Sequence, residues 1–264
     1  MHYEDFKRTV AHPHKGGAEL AGVVVLYAIY ELFRGIGDAT LAVAQANTQR
    51  IVELEQSLNI FFERSIQVWA DGLPGLPSFL GLAYVTLHLG ATGAALIWLH
   101  RSHPERFAVV RNALVVATAL SLVMYALYPA APPRLAGLGF ADTVSSHTGL
   151  NLSSDLLGSL YNPIAAVPSL HFGYALIVGV AVAQLAAGRA VRLLGAAYPA
   201  LMLLIIVATG NHFLFDAAAG GLVVAAGWAV AAALRSPKRP VPVRLAAPRH
   251  TWTPHSAATR AEAA

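Results

Sequence analysis

The chain has 264 residues, of which 56% are hydrophobic and 12% are charged, and its formal net charge is +4. This apolar content excludes an ordinary soluble globular domain and predicts an all-α polytopic membrane protein, because its long apolar runs suit membrane-spanning helices. The sequence has no cysteine, which excludes disulfides and thiolate metal sites. The small net charge is gathered in short segments, which indicates membrane orientation rather than nucleic-acid binding.

The first 70 residues predict a tail, a span and an interfacial helix. Residues 1–18 lack hydrophobic periodicity and are expected to form a cytoplasmic tail. The apolar run 19–33, with its flanking residues, reaches the roughly 20 residues that a helix needs to span a bilayer. In residues 47–70, apolar side chains recur near one helical face, while polar residues such as Glu53 and Glu63 occupy the others. This pattern predicts an amphipathic helix in the membrane interface, with its glutamates in contact with water.

Five further apolar runs predict the other spans of a six-helix membrane domain at residues 19–234. The runs are 78–99, 108–128, 168–187, 193–209 and 213–234. Residues 129–167 form a predicted outer loop that begins with several prolines, which cannot continue a helix, and its length favours a functional role. Residues 235–264 are rich in Pro and Arg and are expected to be a disordered cytoplasmic tail.

The distribution of lysine and arginine predicts the orientation of the spans. Basic clusters precede the first span, join the second to the third, join the fourth to the fifth and follow the sixth. By the positive-inside rule these segments face the cytoplasm, so both termini are cytoplasmic and the protein is expected in the cell membrane. The segments that contain Arg134, His171 and His212 then all lie on the outer face.

Two histidines at the mouths of apolar runs carry the candidate chemistry. His171 ends a Pro-Ser-Leu-His segment, and His212 precedes Asp216 by one helical turn. Histidine is costly in lipid, so this pair predicts a membrane-embedded active site. Asp216 is placed to accept the Nδ1 proton of His212 and to leave its Nε2 free to attack phosphorus. His171 is then the expected general acid that protonates the leaving alcohol.

Phosphate binding is expected from three further residues and from two helix ends. Arg134 offers a fork of donors that matches phosphate, Ser169 offers a hydroxyl, and Asn211 lies beside His212. The fourth and sixth predicted spans both begin on the outer face. Their N-termini are therefore expected to present unpaired N–H groups and the positive ends of their dipoles to the phosphate.

At these residues the chain resembles the type 2 phosphatidic acid phosphatase superfamily. That superfamily carries a Lys-x6-Arg-Pro segment, a Pro-Ser-Gly-His segment and a Ser-Arg-x5-His-x3-Asp segment. The second and third segments are matched at Pro168-Ser-Leu-His171 and at His212-x3-Asp216. Leu170 stands where the superfamily has glycine, which resembles the inositolphosphotransferase branch that includes fungal inositol phosphorylceramide synthase. The resemblance implies a six-helix core in which the two histidines and the aspartate have the roles given above.

The chain departs from the superfamily pattern at two cationic positions. Leu127 stands where the first segment has its lysine, and Ile206 stands where the third segment has its arginine. Phosphate binding is therefore expected to draw on other cations, for which Arg34, Arg50 and Arg64 are candidates.

Other interpretations stand beside this one. The lone His88 inside the second span is more simply a packed polar group or a helix contact than a ligand. The two site histidines and the aspartate also make a two-histidine, one-carboxylate set, but helix N-termini oppose a cation, so neither a metal nor another cofactor is expected. A transporter or structural protein with a polar outer vestibule is the non-enzymatic alternative.

The residues together predict a lipid phosphatase or phosphotransferase embedded in the bilayer. Its expected substrate is a lipid phosphate or phosphodiester at the outer leaflet, cleaved through a phosphohistidine intermediate without a metal. The motifs do not describe the pocket for an acceptor alcohol, so hydrolysis and transfer both remain open.

Overall fold

The structure, a computed structural model, describes residues 40–150 and 162–234. Within these ranges every regular element is helical, in agreement with the all-α prediction. The elements are α1 (Leu41–Ser57), α2 (Glu63–Asp71), α3 (Leu76–Ser102), α4 (Pro104–Leu127), a 3-10 turn (Pro133–Leu135), α5 (Thr143–Thr148), α6 (Leu170–Leu185), α7 (Arg189–Ala208) and α8 (Leu214–Ala233). The predicted tails 1–18 and 235–264 and the predicted first span 19–33 lie outside the described residues.

Four helices, α3, α4, α7 and α8, are long and apolar enough to cross a membrane, which identifies a membrane protein. The predicted run 168–187 contains α6, which is apolar but has only 16 residues. At about 1.5 Å per residue, such a helix is about 24 Å long and shorter than a hydrocarbon core of about 30 Å. α6 is short because Ser169 caps its start and Ala186 turns to extended backbone at its end. The described residues thus account for four of the six predicted spans by length.

The predicted continuous helix over residues 47–70 is wrong, because the segment forms two helices separated by a turn. Asn59 adopts a left-handed conformation with φ 56°, which asparagine tolerates better than most residues. The N–H of Ile60 donates to the carbonyl of Glu55 at 2.9 Å, and the N–H of Asn59 donates to Gln56 at 3.0 Å. This pair of bonds is a Schellman motif, which ends α1 and turns the chain toward α2.

Helices α1 and α2 hold the first part of the predicted outer loop in place. The hydroxyl of Thr48 donates to the carbonyl of Ala131 at 2.9 Å. The Gln67 amide makes a two-way contact with Ala141, donating to its carbonyl at 3.0 Å and accepting from its N–H at 2.9 Å. Side chains of the two helices thereby satisfy loop backbone groups that would otherwise be buried without partners.

Small residues bring α4, α6 and α8 together beneath this loop. A Cβ at Gly220 of α8 would overlap the carbonyl oxygen of Ser169, the residue that precedes α6. A Cβ at Gly227, further along α8, would lie 2.6 Å from the carbonyl oxygen of Ala113 in α4. Close backbone approach of this kind is typical of membrane helix packing. It places the first turns of α6 and α8 side by side at one end of the bundle.

Candidate active site

The start of α6 is tied directly to α8. Ser169 is fully buried, and its Oγ accepts the N–H of Phe172 at 3.4 Å as the N-cap of α6. The N–H of Ser169 donates to the backbone carbonyl of Asp216 at 2.9 Å. Ser169, predicted as a phosphate ligand, therefore holds the helix end that carries His171. Its hydroxyl proton remains a possible donor, since capping uses only the oxygen.

His212 and Asp216 form a buried pair at the start of α8. Nδ1 of His212 lies 3.2 Å from Oδ2 of Asp216, and the same oxygen accepts the N–H of Phe213 at 2.9 Å. Asp216 is fully buried and His212 is 5% exposed. A carboxylate can only accept, so Nδ1 carries the proton and Nε2 presents its lone pair. This is the tautomer that a nucleophilic histidine requires.

The imidazole of His171 lies beside that of His212, with ring centroids 5.7 Å apart. His171 also stacks on Tyr84, with a centroid distance of 4.3 Å. The structure thus brings the two predicted site histidines together from α6 and α8.

A third histidine, His88 of α3, lies 4.0 Å from His171 between ring centroids. Its Nδ1 faces the carbonyl of Tyr84 at 3.3 Å, so Nδ1 carries the proton in the neutral ring. Sequence reasoning treated His88 as a packed helix contact and left it out of the site. The sequence signal for this contact is the four-residue spacing between Tyr84 and His88, which places both rings on the same face of α3.

Arg134 and Asn211 form a second buried pair next to the histidines. Nε of Arg134 donates to Oδ1 of Asn211 at 3.1 Å, and the Arg134 N–H donates to the carbonyl of Gly210 at 2.9 Å. The amide nitrogen of Asn211 donates to the hydroxyl of Thr209 at 2.9 Å. Asp142 lies 4.0 Å from the Arg134 guanidinium. These contacts fix the Asn211 side chain and place positive charge behind it.

The candidate site opens into one cavity of about 610 Å³. His88, His171, His212 and Asn211 line one end of it. Arg134, Ser169 and Asp216 are not among the lining residues and lie behind its wall. The cavity therefore exposes the imidazole rings, while Arg134, Ser169 and Asp216 do not line it.

A family model described as the PAP2 superfamily matches residues 49–230. The chain belongs to the PAP2 superfamily. No curated protein and no solved structure matched the chain. The family match includes every predicted site residue and indicates a phosphatase-type function, and it extends to α1 and α2, which the motifs alone did not include.

Two glutamates complete the site of this PAP2 protein in a way that the sequence did not indicate. Oε1 of Glu63 accepts the N–H of Leu214 at 3.0 Å, and Oε1 of Glu55 accepts the N–H of Phe215 at 2.7 Å. Both glutamates are fully buried, so the prediction that Glu63 contacts water is wrong. Protein carboxylates thus occupy the N-terminus of α8, which was expected to bind phosphate.

Burial raises the pKa of Glu55 to about 8. The hydrogen bond from Phe215 lowers that pKa, whereas the neighbouring Glu63 carboxylate raises it. A neighbouring carboxylate and burial both disfavour the charged form of Glu55, so Glu55 holds a proton at neutral pH.

The cations proposed to replace the two missing family residues do not converge on the cavity. The guanidinium of Arg64 lies 6.0 Å from the centre of the Phe140 ring. Neither Arg64 nor Arg50 lines the cavity, whereas Arg111 does. Arg34 lies outside the described residues. Arg134 is therefore the arginine that the described structure places nearest to the histidine pair through Asn211.

Proposed function

We propose that this PAP2 superfamily member is a lipid phosphatase or phosphotransferase that works through a phosphohistidine intermediate. The observation that supports this function is the pair of imidazoles 5.7 Å apart at the end of one cavity, with one ring oriented by a buried carboxylate. Two rings at this separation can act on one phosphate group, with His212 at the phosphorus and His171 at the leaving oxygen.

In the first step, the Nε2 lone pair of His212 attacks phosphorus and forms a P–N bond. The P–O bond to the lipid breaks, and the leaving oxygen takes a proton from His171. Asp216 stabilises the positive charge that develops on the His212 ring, because its carboxylate accepts the Nδ1 proton in a hydrogen bond.

In the second step, water or an acceptor alcohol attacks the phosphohistidine. His171, now neutral, takes the proton of the attacking hydroxyl, the P–N bond breaks, and His212 returns to its starting tautomer. Attack by water gives a phosphatase, and attack by an alcohol gives a phosphotransferase. Leu170 stands where the superfamily has glycine, as in the inositolphosphotransferase branch, and supports that branch as the finer family assignment of this proposal.

Negative charge on the phosphoryl oxygens is stabilised from one side of the cavity. The first amides of α6 lack acceptors within the helix and lie next to His171. Asn211 lines the cavity with Arg134 behind it, so the guanidinium adds positive potential in a site of low dielectric. Asn211 thus presents a polar group to the phosphoryl oxygens, and Arg134 acts on them through its charge.

The active site faces the outer side of the cell membrane in this proposal. The site lies at the Tyr125 end of α4, since the Tyr125 hydroxyl donates to the Pro168 carbonyl at 2.7 Å. Arg106, in the basic turn that begins α4, precedes Tyr125 by 19 residues, or about 28 Å along a helix. The basic turn and the site are therefore at opposite ends of the bundle, as the positive-inside rule requires.

The test is turnover by the purified protein in nanodiscs, assayed as phosphate release or headgroup exchange. Phosphatidic acid, a prenyl diphosphate and an inositol phospholipid are the substrates. The wild type is expected to turn over at least one of them, and His212→Ala is expected to abolish that activity. His147→Ala is the matched control, because His147 is an exposed histidine of α5. Absence of turnover by the wild type on all three lipids would overturn the proposal and favour transport or a structural role.

A further inference from the structure

The cavity extends well beyond the histidines, between α3, α4 and α6. It reaches from Tyr125 near the outer end of α4 to Arg111, and these residues are 14 positions apart, or about 21 Å along the helix. Most of its lining below the rings is aliphatic, from residues such as Leu96 and Leu114. This part of the cavity suits the hydrocarbon chain of a lipid.

One lining residue, Thr92 of α3, does not fit a purely hydrocarbon lining. Thr92 is 8% exposed, and its hydroxyl has no hydrogen-bond partner among the residues that the structure describes. Membrane helices normally satisfy a threonine hydroxyl with the carbonyl four residues earlier. Thr86, Thr118 and Thr209 each make that bond, at 2.8, 2.7 and 2.7 Å. A buried hydroxyl without a partner is unfavourable, so Thr92 points to a polar group of the ligand.

The depth of Thr92 identifies which part of a lipid it meets. Thr92 follows His88 by one helical turn, about 6 Å along α3, and His88 contacts His171, the proposed proton donor to the leaving oxygen. In a glycerolipid or a sphingolipid phosphate, the ester or amide carbonyl is only a few bonds from that oxygen. A polyprenyl phosphate carries only hydrocarbon at this depth and leaves the hydroxyl unpaired.

We propose that Thr92 donates a hydrogen bond to the ester or amide carbonyl of an acyl chain, and that this bond selects acyl-linked lipid phosphates over polyprenyl phosphates. This proposal rests on the proposed function, since it places the phosphate at His171 and His212. Thr92 is thus a specificity-determining residue, and the aliphatic lining below it receives the chain that follows the carbonyl.

The experiment compares two lipids that differ only in the carbonyl. Dipalmitoyl phosphatidic acid and its dihexadecyl diether analogue are assayed in nanodiscs with the wild type, Thr92→Val, Thr92→Ser and Thr86→Val. The wild type is expected to show a kcat/KM about five- to tenfold higher for the diester, as one hydrogen bond allows. Thr92→Val is expected to remove this preference by lowering only the diester value. Thr92→Ser keeps the hydroxyl and the preference, and Thr86→Val, an exposed threonine of the same helix, behaves as the wild type.

Ceramide 1-phosphate, assayed in parallel, distinguishes an amide from an ester as the preferred linkage. Equal kcat/KM for the diester and the diether in the wild type overturns the role of Thr92, as does an equal loss for both lipids in Thr92→Val. Turnover of the diether by the wild type shows in either case that the proposed function stands. If the wild type hydrolyses neither lipid but turns over the prenyl diphosphate, the proposed function stands and the selection of acyl-linked lipids is overturned. No turnover of any of these substrates or of the inositol phospholipid overturns the proposed function. Binding of the same two lipids to the wild type and to Thr92→Val, measured by native mass spectrometry, then tests the carbonyl contact by itself.

Discussion

The N-termini of α6 and α8 lie side by side at the same end of the bundle, yet they are used in opposite ways. The first turn of α6 carries His171 and reaches the cavity. The first turn of α8 is closed by carboxylates, with Asp216, Glu63 and Glu55 accepting the N–H groups of its first residues. A helix N-terminus is an anion site only where the protein has not already supplied the anion.

This difference assigns a separate task to each helix end. The end of α8 is fixed by three carboxyl groups, which hold His212 in the orientation that the proposed attack on phosphorus requires. In the same proposal, the end of α6 binds the phosphoryl oxygens. Removing these restraints one at a time tests whether the N-terminus of α8 acts through His212 and the N-terminus of α6 acts on the substrate.

Asp216→Asn is expected to have the largest effect, with turnover reduced by about 10²- to 10⁴-fold. An amide cannot stabilise the positive charge on His212, and its NH2 group favours the wrong tautomer of the ring. Phosphate release from a lipid phosphate measures the loss, and the thermal midpoint shows whether the variant is folded. The control is Asp71→Asn, at an exposed carboxylate that ends α2. Activity within threefold of the wild type would contradict the assigned role of Asp216.

Glu63→Ala is expected to destabilise the fold by about 1–3 kcal/mol, because the N–H of Leu214 is left buried without an acceptor. Turnover should fall as well, since His212 precedes this turn. Glu63→Gln should be milder, because its amide oxygen can still accept the same bond. Glu53→Ala, at an exposed glutamate of α1, is the control. Chemical denaturation and turnover are the measurements, and equal effects of the Ala and Gln variants would count against the bond.

The pH dependence of stability tests the proton on Glu55. Its folded pKa of about 8 lies above the ordinary value of 4.5, so the folded state binds the proton more tightly than the unfolded state. The resulting stabilisation is complete below about pH 4.5 and is lost as the pH rises to about 8. The slope in that window cannot exceed about 1.4 kcal/mol per pH unit for one proton. Glu55→Gln should reduce the change in the thermal midpoint between pH 5 and pH 8. An unchanged pH dependence would show that Glu55 is not its source.

Ser169→Ala is expected to have the smallest effect, a loss of about 1 kcal/mol from the missing N-cap. Turnover should fall less than tenfold, because the backbone N–H of residue 169 still donates to the carbonyl of Asp216 and holds the start of α6. A loss of activity as large as that of Asp216→Asn, without loss of stability, would instead make the Ser169 hydroxyl a direct phosphate ligand. Stability and kcat measured on the same preparation separate these outcomes.

The sequence predicts those features of the molecule that depend on residues close together in the chain. Hydropathy runs indicate the long helices, and the one-turn spacing of His212 and Asp216 predicts their hydrogen bond. Pro168-Ser169 before His171 predicts a capped helix start, which the structure has. The proximity of His171 and His212 followed from the predicted orientation of two parallel spans.

The missed features depend on contacts between distant segments. Glu55 and Glu63 reach residues 160 and 151 positions away, and nothing on α1 or α2 distinguishes them from the exposed Glu53. The sequence does not predict the contact of His88 with His171, because a single histidine gives no periodicity and its partner lies on another helix. The sequence does not predict the break at Asn59, because the apolar spacing continues through it.

Trapping of the covalent intermediate tests the central claim most directly. The wild type is mixed with a lipid that carries radiolabelled phosphate and is quenched in alkali within the first turnover, and the labelled peptide is then identified. We predict an acid-labile, alkali-stable phosphate on His212 that is absent from His212→Ala and that disappears on a chase with water or an acceptor alcohol. Full turnover by the His212→Ala variant, or a label on a different residue, would contradict the mechanism.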